Sequence, residues 1–205
     1  MSQRLILPFC ILVAAVVGYV RWTNAERELP PPSSYADLVK ATQGPQGDAG
    51  SALPCAAKYT VKPAAAASSP DAGQRRAEVL DALMKKTSPL TEPERDLKLH
   101  WLLEAEVTNG GFHQFFFNST GDEALATREA VARIGPPELV ELYDCALSAF
   151  PNGKPEADRV KRNAQLAQWG EAQFELFAPL DRTFWAMSLD EAAEAYIATR
   201  LAPAK

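Results

Sequence analysis

The chain has 205 residues, enough for one domain with appended segments, and 47% of them are apolar. Its net charge is −5, but residues 78–205 hold 21 acidic and 13 basic side chains, a net of −8. This acidity speaks against direct binding of nucleic acid, which depends on cationic side chains, and it favours a basic protein partner.

An apolar segment opens the chain. Residues 5–20 contain no charged side chain, with Arg4 before them and Arg21 and Trp22 after them. An α-helix of this length spans about 24 Å, less than the ~30 Å hydrocarbon core of a membrane. Residues 1–28 are therefore predicted to be either a signal peptide that is removed or a membrane anchor that is retained. We expect an exported or membrane-anchored protein of the periplasm or cell envelope; a domain on the cytoplasmic face is the alternative.

Residues 29–75 are predicted to form a disordered linker. They are rich in Pro, Ala, Ser and Gly and include a proline triplet at 30–32. Such a segment cannot bury enough apolar surface to offset its conformational entropy. Cys55 lies in this linker and Cys145 in a predicted helix. The two could pair, but two unpaired thiols are favoured because a disulfide framework needs more than this.

From residue 76 onward the apolar residues recur at helical spacing. Helices are predicted over 76–86, 91–109, 122–134, 138–150, 156–177 and 188–201, with a short helix around Phe184 and Trp185. Thr91 with Glu94 and Ser188 with Glu191 have capping-box spacing, and Asp122 is a further candidate cap. No stretch alternates apolar and polar residues long enough to predict a strand. Short connections predict an all-α bundle or array forming one domain over residues 76–205.

The most informative local pattern runs from residue 106 to residue 119. Two glycines, Gly110 and Gly111, allow the positive φ with which a helix ends and the chain reverses. Three phenylalanines follow at positions i, i+3 and i+4, which predicts three rings buried together in a short helical segment. They are Phe112, Phe115 and Phe116.

Polar side chains accompany these rings. Glu106 shares a stripe with leucines, where an unpaired carboxylate would be costly. We therefore predict that Glu106, Asn109, Gln114 and Asn118 form hydrogen bonds that fix the turn. The alternative is that the same residues bind a ligand.

The pattern E-V-x-N-G-G-F-x-Q-F-F-x-N-S resembles the signature of the DNA mimic protein 19 domain family, a bacterial family of helical domains. The resemblance extends to segments 97–103, 124–135 and 174–196, so it covers about residues 77–200. The family's named member is described as an acidic dimer that imitates the phosphate charge of DNA and occupies the DNA-binding surface of a transcription factor. The resemblance thus implies a non-enzymatic protein-binding module, a partner that is basic or DNA-binding, and the option of a homodimer.

Mimicry of DNA requires carboxylates spaced like phosphates, and helix positions three or four apart place side chains about 5–6 Å apart. The candidate acidic face consists of Glu138, Glu141, Asp144, Glu171, Glu175, Asp190, Glu191 and Glu194. The alternative is that these are ordinary solvated helix faces, because Arg159, Lys161 and Arg162 interrupt the acidity.

An enzyme is the rival hypothesis. His100 and Glu104 are four residues apart on one predicted helix, a spacing that can chelate a metal, and His113 follows the double glycine. No third convergent ligand, nucleophile elbow, phosphate-binding loop or dinucleotide fingerprint is present in the sequence. We therefore predict no metal and no cofactor. A structural dimerisation domain is the third hypothesis.

Overall fold

The computed structural model describes residues 53–59 and 70–201. This part of the chain contains seven α-helices and no strand, which confirms the all-α prediction. The helices are α1 Pro70–Lys85, α2 Glu92–Phe117, α3 Ala124–Ile134, α4 Pro137–Leu147, α5 Arg159–Ala167, α6 Ala178–Trp185 and α7 Asp190–Tyr196. Short 3-10 turns occupy Pro54–Lys58, Ser119–Glu123, Pro151–Gly153 and Gly170–Phe174, and a π turn at Ile197–Leu201 follows α7.

Helix α2 is the central element, because it packs against α1, α3, α5 and α6. The larger core lies around its C-terminal half and includes buried residues of α3, α4 and α6. A smaller core lies between α1, the N-terminal half of α2 and the C-terminal helix α7. The hydroxyl of Tyr196 ties these elements together by donating to the buried carboxylate of Asp96 at 2.8 Å.

The start of α2 confirms the predicted capping box. The Glu94 carboxylate accepts hydrogen bonds from the Thr91 backbone N–H at 2.8 Å and from the Thr91 hydroxyl at 3.0 Å. The break predicted at the glycines is confirmed, because Gly110 and Gly111 leave helical geometry, with φ of −159° and 75°. Helical structure resumes beyond them and continues to Phe117, so α2 consists of two helical segments joined by a kink.

Three helix boundaries differ from the prediction. Helix α3 begins at Ala124 and α7 at Asp190, and neither has a side-chain cap, so the caps predicted at Asp122 and Ser188 are wrong. The long helix predicted over 156–177 ends at Ala167. Gly170 has a φ of 57°, a left-handed conformation that a continuous α-helix cannot contain.

The segment before α1 corrects two further predictions. Cys55 and Cys145 form a disulfide, so the prediction of two unpaired thiols is wrong. Leu53 and Ala56 are each 2% exposed and belong to the larger core. The disordered linker is thus wrong for residues 54–58, which are helical, and for 70–75, which lie in α1. Composition could not reveal this, because packing and disulfide pairing depend on distances set by the whole fold.

The rest of the predicted linker and the apolar segment at residues 5–20 lie outside the described residues. Within 53–59 and 70–201, no helix combines the length and apolarity needed to cross a membrane.

Candidate functional site

The polar residues of the motif lie around the buried carboxylate of Glu106, which is 2% exposed. This carboxylate accepts hydrogen bonds from Gln114 Nε2 at 2.7 Å, Asn118 Nδ2 at 2.9 Å and the Thr120 hydroxyl at 3.2 Å. Asn109 Nδ2 donates to Gln114 Oε1 at 3.1 Å. The predicted hydrogen bonds are confirmed, and Thr120 is an additional donor. A ligand role for the same residues stays a prediction.

The two glycines are required by close approaches at the kink. Gly111 has a φ of 75°, and a Cβ at this position would lie 2.5 Å from Asp181 Oδ2. A Cβ at Gly110 would overlap the side chain of Gln114. Because the kink brings these side chains against the backbone, neither position accommodates a larger residue without a local shift.

Asp181 in α6 stabilises the restart of α2. Its Oδ1 accepts the Phe112 backbone N–H at 2.8 Å and so satisfies a donor at the N-terminus of the second helical segment. Burial raises the pKa of the Asp181 carboxyl to about 6, although the bond from Phe112 and the charge of Arg182 act in the opposite direction. This role has no local signature in the sequence beyond the position of Asp181 within segment 174–196.

The aromatic residues of the motif form the centre of the larger core. Phe112, Phe115 and Phe116 are fully buried, as predicted. The Phe115 and Phe116 rings meet edge to face at 5.0 Å between centroids, and Phe116 meets Phe150 in the same way at 4.7 Å. The ring of Phe112 contacts Phe184 of α6 at 5.7 Å. These rings join α2 to its neighbours, which is a structural role.

Arg162 in α5 is a buried cation that the sequence analysis placed wrongly on the surface. Its side chain has no exposed area. The guanidinium donates to the backbone carbonyls of Phe116 at 2.6 Å and Asn118 at 2.8 Å, and to the Asp122 carboxylate at 2.8 Å. Burial lowers the pKa of Arg162, and Asp122 partly offsets this shift. Arg162 therefore holds the end of the motif and does not interrupt an acidic surface.

The eight residues of the candidate acidic face lie on three separate elements: α4, the turn at 170–175 and α7. Four of them form ion pairs, namely Glu141 with Lys58, Asp144 with Arg128, Asp190 with Arg76 and Glu194 with Arg75. The other four are exposed and have no ion pair with a described residue: Glu138, Glu171, Glu175 and Glu191. Local cations thus neutralise about half of the candidate face.

The residues of the enzyme hypothesis occupy different environments. His100 is 1% exposed, and burial together with the charge of Arg76 lowers its pKa to about 3. Glu104 accepts two hydrogen bonds from Arg76. His113 lies beyond the kink, where its Nε2 is 3.5 Å from Gln173 Oε1 and burial lowers its pKa. Across the described ranges, no group of three or more His, Cys, Asp and Glu side chains is placed to hold a metal.

An open cleft of about 420 Å³ lies between α2 and the end of α6. Its lining consists of Glu104, Thr108, Phe184, Trp185, Met187 and Leu189. Trp185 is 55% exposed, and its Nε1 donates to the Val107 carbonyl at 2.9 Å. Arg76 binds the Glu104 carboxylate, and the rest of the lining combines the Thr108 hydroxyl with aromatic and aliphatic side chains.

This arrangement lies within a region that is similar to a known protein family. The model of the DMP19-like protein family matches residues 88–200, which is 113 of the 205 residues and includes the entire motif around Glu106. No curated protein and no solved structure matches the chain. The match covers α2 to α7 with their connecting turns, and the buried network, the kink and the ring cluster all lie inside it. The chain belongs to the DMP19-like protein family.

Proposed function

We propose that this domain is a non-enzymatic protein-binding module that recognises a basic surface of another protein, in the manner of an acidic DNA mimic, and that it works in the cell envelope. The observation that carries the proposal is the group of four exposed carboxylates without an ion pair among the described residues. These are the carboxylates of Glu138, Glu171, Glu175 and Glu191.

Exposed carboxylates act on a partner in a characteristic way. They raise the rate of encounter with a basic surface, and salt weakens this attraction because the Debye length shrinks to about 8 Å at physiological ionic strength. Carboxylates already paired with arginine or lysine contribute much less to the outward field. The basic partner is therefore expected to contact the unpaired set rather than the whole candidate face.

The placement of the histidines supports binding over catalysis. His100 is buried near the charge of Arg76, and its low pKa keeps it neutral near pH 7. Glu104, one helical turn away, is engaged by Arg76. A general acid or base must reach a substrate proton within hydrogen-bonding distance, and a side chain that is 1% exposed does not meet this requirement.

The disulfide supports the envelope part of the proposal. Disulfides persist in oxidising compartments such as the bacterial periplasm and are rare in the cytosol. The Cys55–Cys145 bond joins a segment near the N-terminus to α4, and the apolar segment at residues 5–20 supports export or anchoring. A domain outside the cytoplasmic membrane would meet a basic envelope protein rather than a transcription factor.

Binding is tested with the tagged full chain and a variant in which Gln replaces the four unpaired glutamates. Both proteins are used to capture partners from separated envelope and cytoplasmic fractions, and each captured protein is then purified. We expect at least one basic protein that binds the wild type directly, dissociates as salt is raised, and binds the variant at least about tenfold more weakly. Equal binding of every captured protein to both chains would reject the proposal.

The compartment is tested separately, by a C-terminal reporter fusion and by protease accessibility in intact and lysed cells. Competition by a DNA duplex then decides between two partner classes, since a DNA-binding protein releases the domain when duplex is added and another basic protein does not. A domain protected inside the cytoplasm with both thiols free would contradict the envelope assignment and leave the binding proposal standing.

A further inference from the structure

Two exposed phenylalanines and a half-buried histidine form an aromatic patch where α2 meets the turn Gly170–Phe174. Phe174 is 60% exposed and Phe117 is 40% exposed. The His113 ring lies between them, with its centroid 5.0 Å from that of Phe174 and 5.8 Å from that of Phe117. We call His113, Phe117 and Phe174 the aromatic patch. Exposed clusters of large apolar side chains often mark interaction sites, whereas single exposed apolar residues are common.

The turn that carries Phe174 is anchored on both sides. Before it, Trp169 Nε1 donates to the Ala149 carbonyl at 3.1 Å. After it, Leu176 and Phe177 are 2% and 0% exposed and belong to the larger core. Because the core holds both ends, the fold presents the Phe174 ring to solvent at a fixed place.

Two carboxylates without an ion pair accompany the aromatic patch. Glu171 and Glu175 are exposed, lie three residues before and one residue after Phe174, and have no ion pair among the described residues. In contrast, Glu141 and Asp144 on α4 are paired with Lys58 and Arg128. Among the three acidic elements, the turn at 170–175 therefore combines unpaired negative charge with exposed rings.

We propose that the aromatic patch, together with Glu171 and Glu175, forms the docking site for a segment of a partner protein that presents an arginine beside an aliphatic side chain. This inference rests on the proposed function and names the contact through which it acts. A guanidinium stacks on an aromatic face while it donates to a carboxylate, and arginine does both better than lysine. The aliphatic neighbour covers the remaining ring surface.

The site is tested with a fluorescent peptide that alternates arginine and leucine, and with a matched peptide in which uncharged citrulline replaces arginine. The full chain is held in nanodiscs of zwitterionic lipid, and empty nanodiscs serve as the blank. We expect the arginine peptide to bind and the citrulline peptide to bind about tenfold more weakly. Phe174→Ala should weaken binding of the arginine peptide about fivefold, and Glu171→Gln with Glu175→Gln about five- to tenfold.

Matched control variants separate a local site from a general charge effect. Glu138→Gln with Glu191→Gln removes the same number of exposed, unpaired carboxylates elsewhere, and Leu125→Ala removes an apolar side chain that is 48% exposed. Both controls should change binding less than about twofold. The altered side chains are exposed, so all variants should unfold at the wild-type temperature.

Three outcomes would overturn the inference. The arginine peptide fails to bind the wild type, or the control pair of glutamates weakens binding as much as the site pair does. In the third, Phe174→Ala leaves peptide binding unchanged and converts a dimer to a monomer in sedimentation, which assigns the patch to a second copy of this chain. In each case the proposed function survives if binding of the captured basic protein still requires the four glutamates. A failure of this inference is therefore distinguishable from a failure of the proposed function.

Discussion

The motif around Glu106 and the turn at residues 170–175 are both built from carboxylates and aromatic rings, yet they differ in every physical respect. Glu106 is 2% exposed and accepts three hydrogen bonds, and the rings of Phe112, Phe115 and Phe116 are fully buried. In the turn, Phe174 is 60% exposed and two glutamates have no ion pair among the described residues. The buried part of the motif stabilises the fold, whereas the turn presents its carboxylates and its ring to solvent.

The difference in burial explains why residues 106–119 form a long sequence pattern and residues 170–175 do not. A buried carboxylate requires several donors at set positions, so each partner of Glu106 must be a specific residue type. A docking surface needs only charge and exposed rings, which several residue types can supply. The pattern at residues 106–119 therefore reflects requirements of this fold, and the surface that we propose for binding carries little pattern of its own.

The largest expected effect is the loss of a buried cation beside the motif. Arg162→Met removes the donors to the Phe116 and Asn118 carbonyls and leaves the Asp122 carboxylate without this partner. We expect a loss of about 4 kcal/mol in the free energy of unfolding, measured by urea denaturation. A loss below about 1 kcal/mol would contradict the role assigned to Arg162.

A matched pair of glutamate variants compares the two regions directly. Glu106→Ala leaves the donors of Gln114, Asn118 and Thr120 without their shared acceptor, so we expect a loss of about 3 kcal/mol in unfolding free energy. Glu171→Ala should change it by less than about 0.5 kcal/mol, because that side chain is exposed. Similar losses in both variants would remove the distinction between the regions.

Two glycines with positive φ allow a second matched comparison. Gly111→Ala combines left-handed strain with a Cβ 2.5 Å from Asp181 Oδ2, and we expect it to cost about 2 kcal/mol. Gly170→Ala also places a side chain on a residue with positive φ, but no atom lies within 4 Å of the added Cβ. Its cost should be about 1 kcal/mol. Thermal unfolding of both variants measures which substitution costs more stability. The order of the two costs would be reversed if the kink region could relax freely.

The smallest expected effect is a pH dependence at the kink. The Asp181 carboxyl has a pKa raised from 3.8 to about 6 in the folded protein. The folded state therefore binds a proton more tightly than the unfolded state, and the stability contributed by this group is lost as the pH rises through about 6. Asp181→Asn keeps an acceptor for the Phe112 N–H and removes this dependence.

Urea denaturation of wild type and Asp181→Asn around pH 4 and around pH 7 measures the effect, because other groups titrate alike in both proteins. We expect the Asn variant to gain ~1 kcal/mol relative to wild type between the two conditions, after allowance for the partial exposure of the carboxyl. A constant difference between the two proteins would show that Asp181 titrates as it does in the unfolded chain.

The parts of the structure that the sequence predicted depend on neighbours along the chain. The capping box at Thr91 and the hydrogen bonds of Glu106 involve residues close along the chain, so spacing predicts them. The spacing of the motif phenylalanines predicts that Phe112 is buried, although its ring partners lie on other helices. Gly170 shows the limit, because a polar helical pattern continued across it while its backbone left the helix at a φ of 57°.

Contacts between distant segments account for the remaining errors. Arg162 is buried because carbonyls at the end of α2, more than 40 residues earlier in the chain, surround its guanidinium. The Cys55–Cys145 pair spans a separation of 90 residues. Neither contact has a local signature in the sequence. A buried arginine cannot be told from an exposed one by its neighbours along the chain. The turn at 170–175 was only partly predicted. Glu171 and Glu175 were candidates for the acidic face, whereas the exposure of Phe174 depends on tertiary packing.

The disulfide has a mechanical consequence. Among the described residues, a pull from the N-terminal side reaches the core at Leu53 and then Cys55, where the covalent bond passes it directly to Cys145 in α4. Helix α1 then lies within a closed covalent loop and carries none of that load. If the first residues hold the chain to a membrane, tension between the membrane and a bound partner would act on the larger core through α4, and α1, the first α-helix of the described residues, would be shielded from it.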